Sequence, residues 1–269
     1  MPPKVNLQLS RHPSFSLTAP GTPTGKDEKK DDRVDTGAGV MFDTSDHHAE
    51  TLAKLVRTQY LSKAIALLDR AIDRFSKYIA FKEKAADKPG FFETRAIEHY
   101  AARYFLTGEK GTNKADHAAH FRDAQTSLTG ARTFLQGIQQ GTNAPICLVT
   151  GTPGDNTGGE TEHGDEFAGG AQIRLTIKFG LASARQAILL IMHEAAHAGG
   201  GARDHGYVHA SGKHFRSKTE PSRIAQAVSN ADSLAWFALK LGREKSDTNL
   251  TLNAHIASYK QSQKDYEFD

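Results

Sequence analysis

The chain has 269 residues, with 34 Lys plus Arg against 31 Asp plus Glu, a net charge of +3, 13 histidines and one cysteine, Cys147. So small a charge over this length is not the dense basic stripe of a nucleic-acid binder, and a lone cysteine excludes an internal disulfide or a zinc site of several thiolates. The longest apolar run, Ala187 to Met192, is six residues, far short of the ~18 of a membrane span, and Met1-Pro2-Pro3-Lys4 opens no apolar signal-peptide core.

Residues 1–43 read as a disordered arm, because five of the nine prolines and the mixed charge run Lys26 to Arg33 fall there with little apolar to bury. A single domain is expected over 44–269. Helical periodicity begins near Thr44 to Asp46, and Leu61, Ile65, Leu68, Ile72, Phe75 and Ile79 recur at alternating spacings of 4 and 3, one stripe of a long helix. Pro89-Gly90 ends it. A second helix is predicted over Phe91 to Leu106. A third runs from Asn113 to Gln140, with Phe121, Ala124, Leu128, Ala131, Leu135 and Ile138 on its buried face.

The pattern then changes. Ala144 to Thr150 reads as a short strand in which Cys147 is a buried small hydrophobe. Gly151 to Gly170 holds seven glycines and five acidic residues and is expected to be a mobile loop. Gln172 to Phe179 alternates apolar and polar residues as a half-buried strand does. Helices follow over Ala182 to Ala198 and Pro221 to Leu241, with Gly242 as a C-terminal stop. Long helices with two or three short strands make the fold class α+β, helix-dominated.

Five of the 13 histidines lie between His193 and His214. Within the predicted helix, His193-Glu194-Ala195-Ala196-His197 places two imidazoles four residues apart on one face, where both reach one zinc ion. Glu194 projects beside the metal, placed to take a proton from an attacking water. A catalytic site needs a third protein ligand and an open position. Gly199-Gly200-Gly201 lets the helix end and the chain turn back. His205, His209 and His214 are candidate third ligands, and so is Asp204. The helix residues Asn230 and Asp232 are candidates to orient a ligand imidazole. The loop acids Glu160, Glu162, Asp165 and Glu166 are candidates to line a pocket for basic side chains.

Gly201-Ala202-Arg203-Asp204-His205-Gly206-Tyr207, after the His-Glu-x-x-His segment, resembles the Gly-Thr-x-Asp-x-x-Tyr motif of the aspzincins, the deuterolysin and peptidyl-lysine metalloendopeptidase family. Asn230-Ala231-Asp232 is similar to a stretch those enzymes carry downstream. Ala202 stands where the motif has threonine, and this chain cannot make the disulfides of the secreted members. The resemblance implies a zincin-like fold with N-terminal helices, a small sheet and an active-site helix. It implies that His193, His197 and Asp204 bind one catalytic Zn2+, that Glu194 is the general base, and that Tyr207 donates a hydrogen bond to the oxyanion.

The expected function is therefore a zinc endopeptidase acting on a protein or peptide substrate, with no nucleic-acid partner. A zinc amidase acting on cell-wall peptides and a non-catalytic interaction module with a vestigial motif are the alternatives. Without a signal peptide, the chain is expected to be cytoplasmic or exported by a dedicated secretion system, with delivery machinery or an inhibitor protein as further partners.

Overall fold

The computed structural model describes residues 33–35, 40–43, 47–107, 117–149, 159–176, 183–206, 208 and 222–244, which belong to one compact unit, Asp32–Asp269. Two strands open it, β1 (Arg33–Asp35) and β2 (Val40–Asp43). Then come α1 (His47–Leu55), a π-helical turn over Val56–Tyr60, α2 (Leu61–Lys82), α3 (Phe91–Tyr104) and α4 (His117–Gln140). Strands β3 (Ile146–Val149), β4 (Gly159–His163) and β5 (Ala171–Thr176) precede α5 (Ala184–Ala198), α6 (Ser222–Val228) and α7 (Ala231–Leu241). The fold is α+β with helix dominant, and among the described residues no helix is long and apolar enough to cross a membrane.

The expected arm ends earlier than residue 43, because β1 and β2 pair with each other and β2 runs parallel to β3 in the sheet. Val40 is completely buried, so its contribution to the core outweighs the polar composition around it. The sheet order is β1-β2-β3-β5-β4, with β3 parallel to β5 and the edge strand β4 antiparallel to β5. Part of the loop expected over 151–170 is thus the strand β4. Its sequence Gly-Glu-Thr-Glu-His has little strand propensity, and full backbone pairing with β5, from Gly159↔Leu175 to His163↔Ala171, supplies the order instead.

The helices pack on each other through an aromatic knot. Phe75 of α2 meets Phe121 of α4 at 5.3 Å and Phe237 of α7 at 4.9 Å between centroids, and Phe105 after α3 meets Phe237 at 4.5 Å. These spacings suit edge-to-face and tilted ring pairs. Ser183 caps α5 by accepting the Gln186 N–H at 3.1 Å. From there Ile188, Ile191, Met192, Ala195 and Ala196 are buried. The helix packs against β4 and β5 as well as against α4 and α7, so its central position follows from its being apolar on nearly every side.

The glycine run after α5 serves two purposes. Only Gly201 takes a left-handed backbone, at φ +64°. Gly199 and Gly200 instead lie against the backbone of α4: a β-carbon at Gly199 would meet the Gly130 carbonyl oxygen at 2.4 Å, and one at Gly130 would meet that of Gly199 at 2.2 Å. Two backbones this close admit no side chain. Gly199→Ala is therefore expected to destabilise the fold by ~1–3 kcal/mol in urea titrations, as overpacking does; a loss below ~0.5 kcal/mol would refute the close-packing role.

Candidate metal centre

Three side chains from α5 and the loop after it converge. His193 Nε2 and His197 Nε2 are 3.2 Å apart, and Asp204 Oδ1 lies 3.2 Å from the latter and 3.5 Å from the former. His193 is buried, His197 nearly so, and the Asp204 side chain is half exposed, which leaves the cluster open to solvent on that side.

Each imidazole is turned inward by a partner at its other nitrogen. His193 Nδ1 lies 2.7 Å from Asp232 Oδ1, and His197 Nδ1 lies 2.9 Å from the Ala202 carbonyl oxygen. Both partners accept only, so a neutral imidazole donates its Nδ1–H there and directs its Nε2 lone pair into the cluster. With both rings neutral, three acceptors face one another, and either a proton shared between His197 and Asp204 or a cation resolves that. Four ligands on a tetrahedral zinc at 2.0–2.1 Å stand about 3.3 Å from one another, which the three observed spacings match. Among the described residues this is the one such group of three that can hold a metal ion.

The loop bearing Asp204 is fastened to the start of α7. Arg203 N–H donates to the Ser229 carbonyl at 2.8 Å, Ala231 N–H to the Arg203 carbonyl at 3.1 Å, and His205 N–H to Asn230 Oδ1 at 2.8 Å. The segment expected as one helix over Pro221 to Leu241 is broken at Asn230, whose extended backbone (φ −91°, ψ 125°) forms the bridge to Arg203. Asn230 is completely buried and holds the loop's backbone rather than an imidazole. Asp232 does orient a histidine, and its second oxygen accepts the Val208 N–H at 2.9 Å.

Glu194 is buried beside the cluster, with Oε1 3.9 Å from His193 Nε2. The Thr161 hydroxyl of β4 lies 2.8 Å from its Oε2 and 3.0 Å from its backbone carbonyl. A β-carbon on Gly159 would meet Glu194 Oε1 at 2.9 Å, so β4 closes over this carboxylate. Burial pushes the Glu194 carboxyl above the usual carboxylate range, against the opposing pull of His193, Thr161 and His197. Asp204 moves the other way, lowered by its hydrogen bond to His197. Burial disfavours the charged form of both imidazoles, but their pKa values still rise. Asp232 and the Glu194 and Asp204 charges outweigh burial at His193; Asp204, Ala202 and Glu194 do so at His197.

Of the rival third ligands, His205 is exposed and its Nε2 contacts Ser229 Oγ at 3.2 Å, away from the converging atoms. His209, His214 and Tyr207 lie outside the described residues. The acids Glu160 and Glu162 alternate with Thr161 on β4, point to the opposite face and pair with Arg174 at 3.6 and 2.6 Å. They are therefore not brought to the metal centre. Thr161 is a site residue the sequence did not mark, because a threonine within a glycine- and acid-rich stretch carries no signal until that stretch is known to pair over α5. No family model, curated protein or solved structure matches this chain.

Removing the carboxylate behind His193 frees that ring. Asp232→Ala is expected to weaken zinc affinity by about 10–100-fold in a chelator competition, the usual cost of losing such a partner. Unchanged affinity would show that His193 needs no orienting group.

Proposed function

We propose that this chain is a zinc-dependent endopeptidase of the aspzincin type, in a zincin-like fold. The observation that carries the reading is the convergence of His193, His197 and Asp204 at tetrahedral spacing with a buried carboxylate alongside. Two imidazole nitrogens and a carboxylate oxygen are a donor set that suits zinc, and three protein ligands leave the open position that distinguishes a catalytic from a structural site. Zinc bound there would polarise the scissile carbonyl and lower the pKa of water towards neutrality.

Glu194 supplies the proton transfers. Burial makes its carboxylate a stronger base than an exposed one, suited to take a proton from the attacking water and return it to the leaving amine. Thr161 holds the carboxylate through Oε2 and leaves Oε1 towards the cluster. Asp204 adds negative charge, which with two neutral imidazoles suits a dipositive ion. Tyr207, by the resemblance of its motif, donates to the oxyanion.

The edge strand β4 supports a peptide substrate. Its inner side is paired with β5, and among the described residues its outer side has no strand partner. An extended peptide can add to such an edge by main-chain hydrogen bonds, which read the backbone and not the sequence. Thr161 and Gly159 of this strand touch Glu194, so a peptide paired there runs past the general base.

Glu194→Gln is expected to retain zinc by metal analysis while casein hydrolysis falls by about 10²–10⁴-fold, the contribution of a general base. Asp204→Ala is expected to lose the metal itself. Thr161→Val is expected to keep zinc and lower kcat/KM by about tenfold, since it removes a hydrogen bond to a charged group. Full activity of the Glu194→Gln protein would overturn the mechanism, and cleavage of peptidoglycan with casein untouched would overturn the substrate class.

A further inference from the structure

The contact between α5 and α7 that holds the metal centre at one end carries a cluster of cations at the other. Arg185 precedes His193 by eight residues on α5, and Asp232, Trp236 and Lys240 are spaced by four along α7, so each set shares one face of its helix. His193 meets Asp232 and Arg185 meets Trp236, so the helices run antiparallel. At 1.5 Å rise per residue the two ends lie ~12 Å apart.

Arg185 Cζ stands 5.2 Å and Lys240 Nζ 5.8 Å from the Trp236 ring centroid. Trp236 stacks on Tyr104 at 6.5 Å with the planes 9° apart, and Arg103 Cζ lies 6.0 Å from the Tyr104 ring. Burial together with the charges of Arg185, Arg243 and Arg103 holds the Lys240 ammonium below its ordinary range.

Nothing described neutralises them. Glu244, the adjacent acid, pairs with Arg70 at 3.7 Å. Carbonyls at the end of a helix are the natural partners of cations there, but Arg70 Nε already takes the Gly242 carbonyl at 2.6 Å, and Arg74 takes those of Leu241 and Arg243. Arg185 Nε is buried and has no acceptor among the described residues. An unpaired buried donor and crowded like charges both cost free energy, and an anion relieves both costs. The aromatic pair holds the cations in place beforehand, and guanidinium forks match phosphate oxygens.

We propose that Arg103, Arg185 and Lys240 form a binding site for a multiply charged phosphate group, carried by a soluble small molecule or a lipid headgroup. The site does not depend on the hydrolytic reading.

Calorimetric titration of the full-length protein with inorganic tripolyphosphate at constant ionic strength tests it. Saturable one-to-one binding is expected, weakened at least about tenfold in Arg185→Gln/Lys240→Gln, where two charge-assisted contacts are lost. Arg103→Gln, on the partly exposed rim, is expected to weaken binding several-fold and guards against a double variant that does not fold. Zinc content is expected to be unchanged in both, which separates this site from the metal centre. Flotation on phosphatidylcholine vesicles containing phosphatidylinositol bisphosphate would assign the phosphate to a lipid, and tripolyphosphate binding without flotation would assign it to a soluble ligand. No saturable binding, or equal affinity in the folded variants, would overturn the proposal.

Discussion

The two oxygens of Asp232 tie together parts of the chain that a metal site must hold in register. Oδ1 takes His193 Nδ1 of α5 and Oδ2 takes the Val208 N–H of the following loop, so one carboxylate fixes both a ligand ring and the segment that returns towards it. Asn230, two residues earlier, binds the His205 N–H, and the backbone bridge from Arg203 to Asn230 lies between these contacts. Asp204 is thereby held from both sides. Its carboxylate stays half exposed while its backbone does not move freely, which is what an open metal position requires.

Around that fastening the scaffold is stiff by close packing. Glycine backbones of α4 and of the turn after α5 touch, Phe75, Phe105, Phe121 and Phe237 lock the helices, and β4 closes over Glu194. The buried side of the centre raises the pKa of one carboxylate and the open side lowers that of another, through burial at Glu194 and hydrogen bonding at Asp204. Two carboxylates with opposed environments are what the proposed division into a proton carrier and an anionic ligand requires. The same two helices carry a cluster of cations at their far end, so a net charge of only +3 conceals an uneven distribution.

Much of this was legible in the residues. Period-3.6 stripes placed α2 and α4, and a continuous apolar run placed α5, because an apolar surface that must be buried is a local property of the sequence. The four-residue histidine spacing placed two imidazoles on one face for the same reason. Asp232 was legible as a candidate histidine partner because an imidazole that binds a metal usually donates its other N–H to a carboxylate or amide. The helix break at Asn230 was not, because it depends on a strand-like bridge to Arg203 from 27 residues earlier. The strand β4 and the contact from Thr161 to Glu194 were hidden likewise: tertiary pairing overrides weak strand propensity. Ala202, which departs from the resembling motif, acts through its carbonyl, so the change of side chain leaves that contact intact.

The account rests on one ion held by His193, His197 and Asp204. Zinc-edge X-ray absorption on the purified protein, combined with elemental analysis, tests it most directly. The prediction is one zinc per chain with two imidazole nitrogens and carboxylate oxygen at about 2.0–2.2 Å. Protein that stays folded and takes up no zinc, or a zinc spectrum without imidazole scattering, would contradict it.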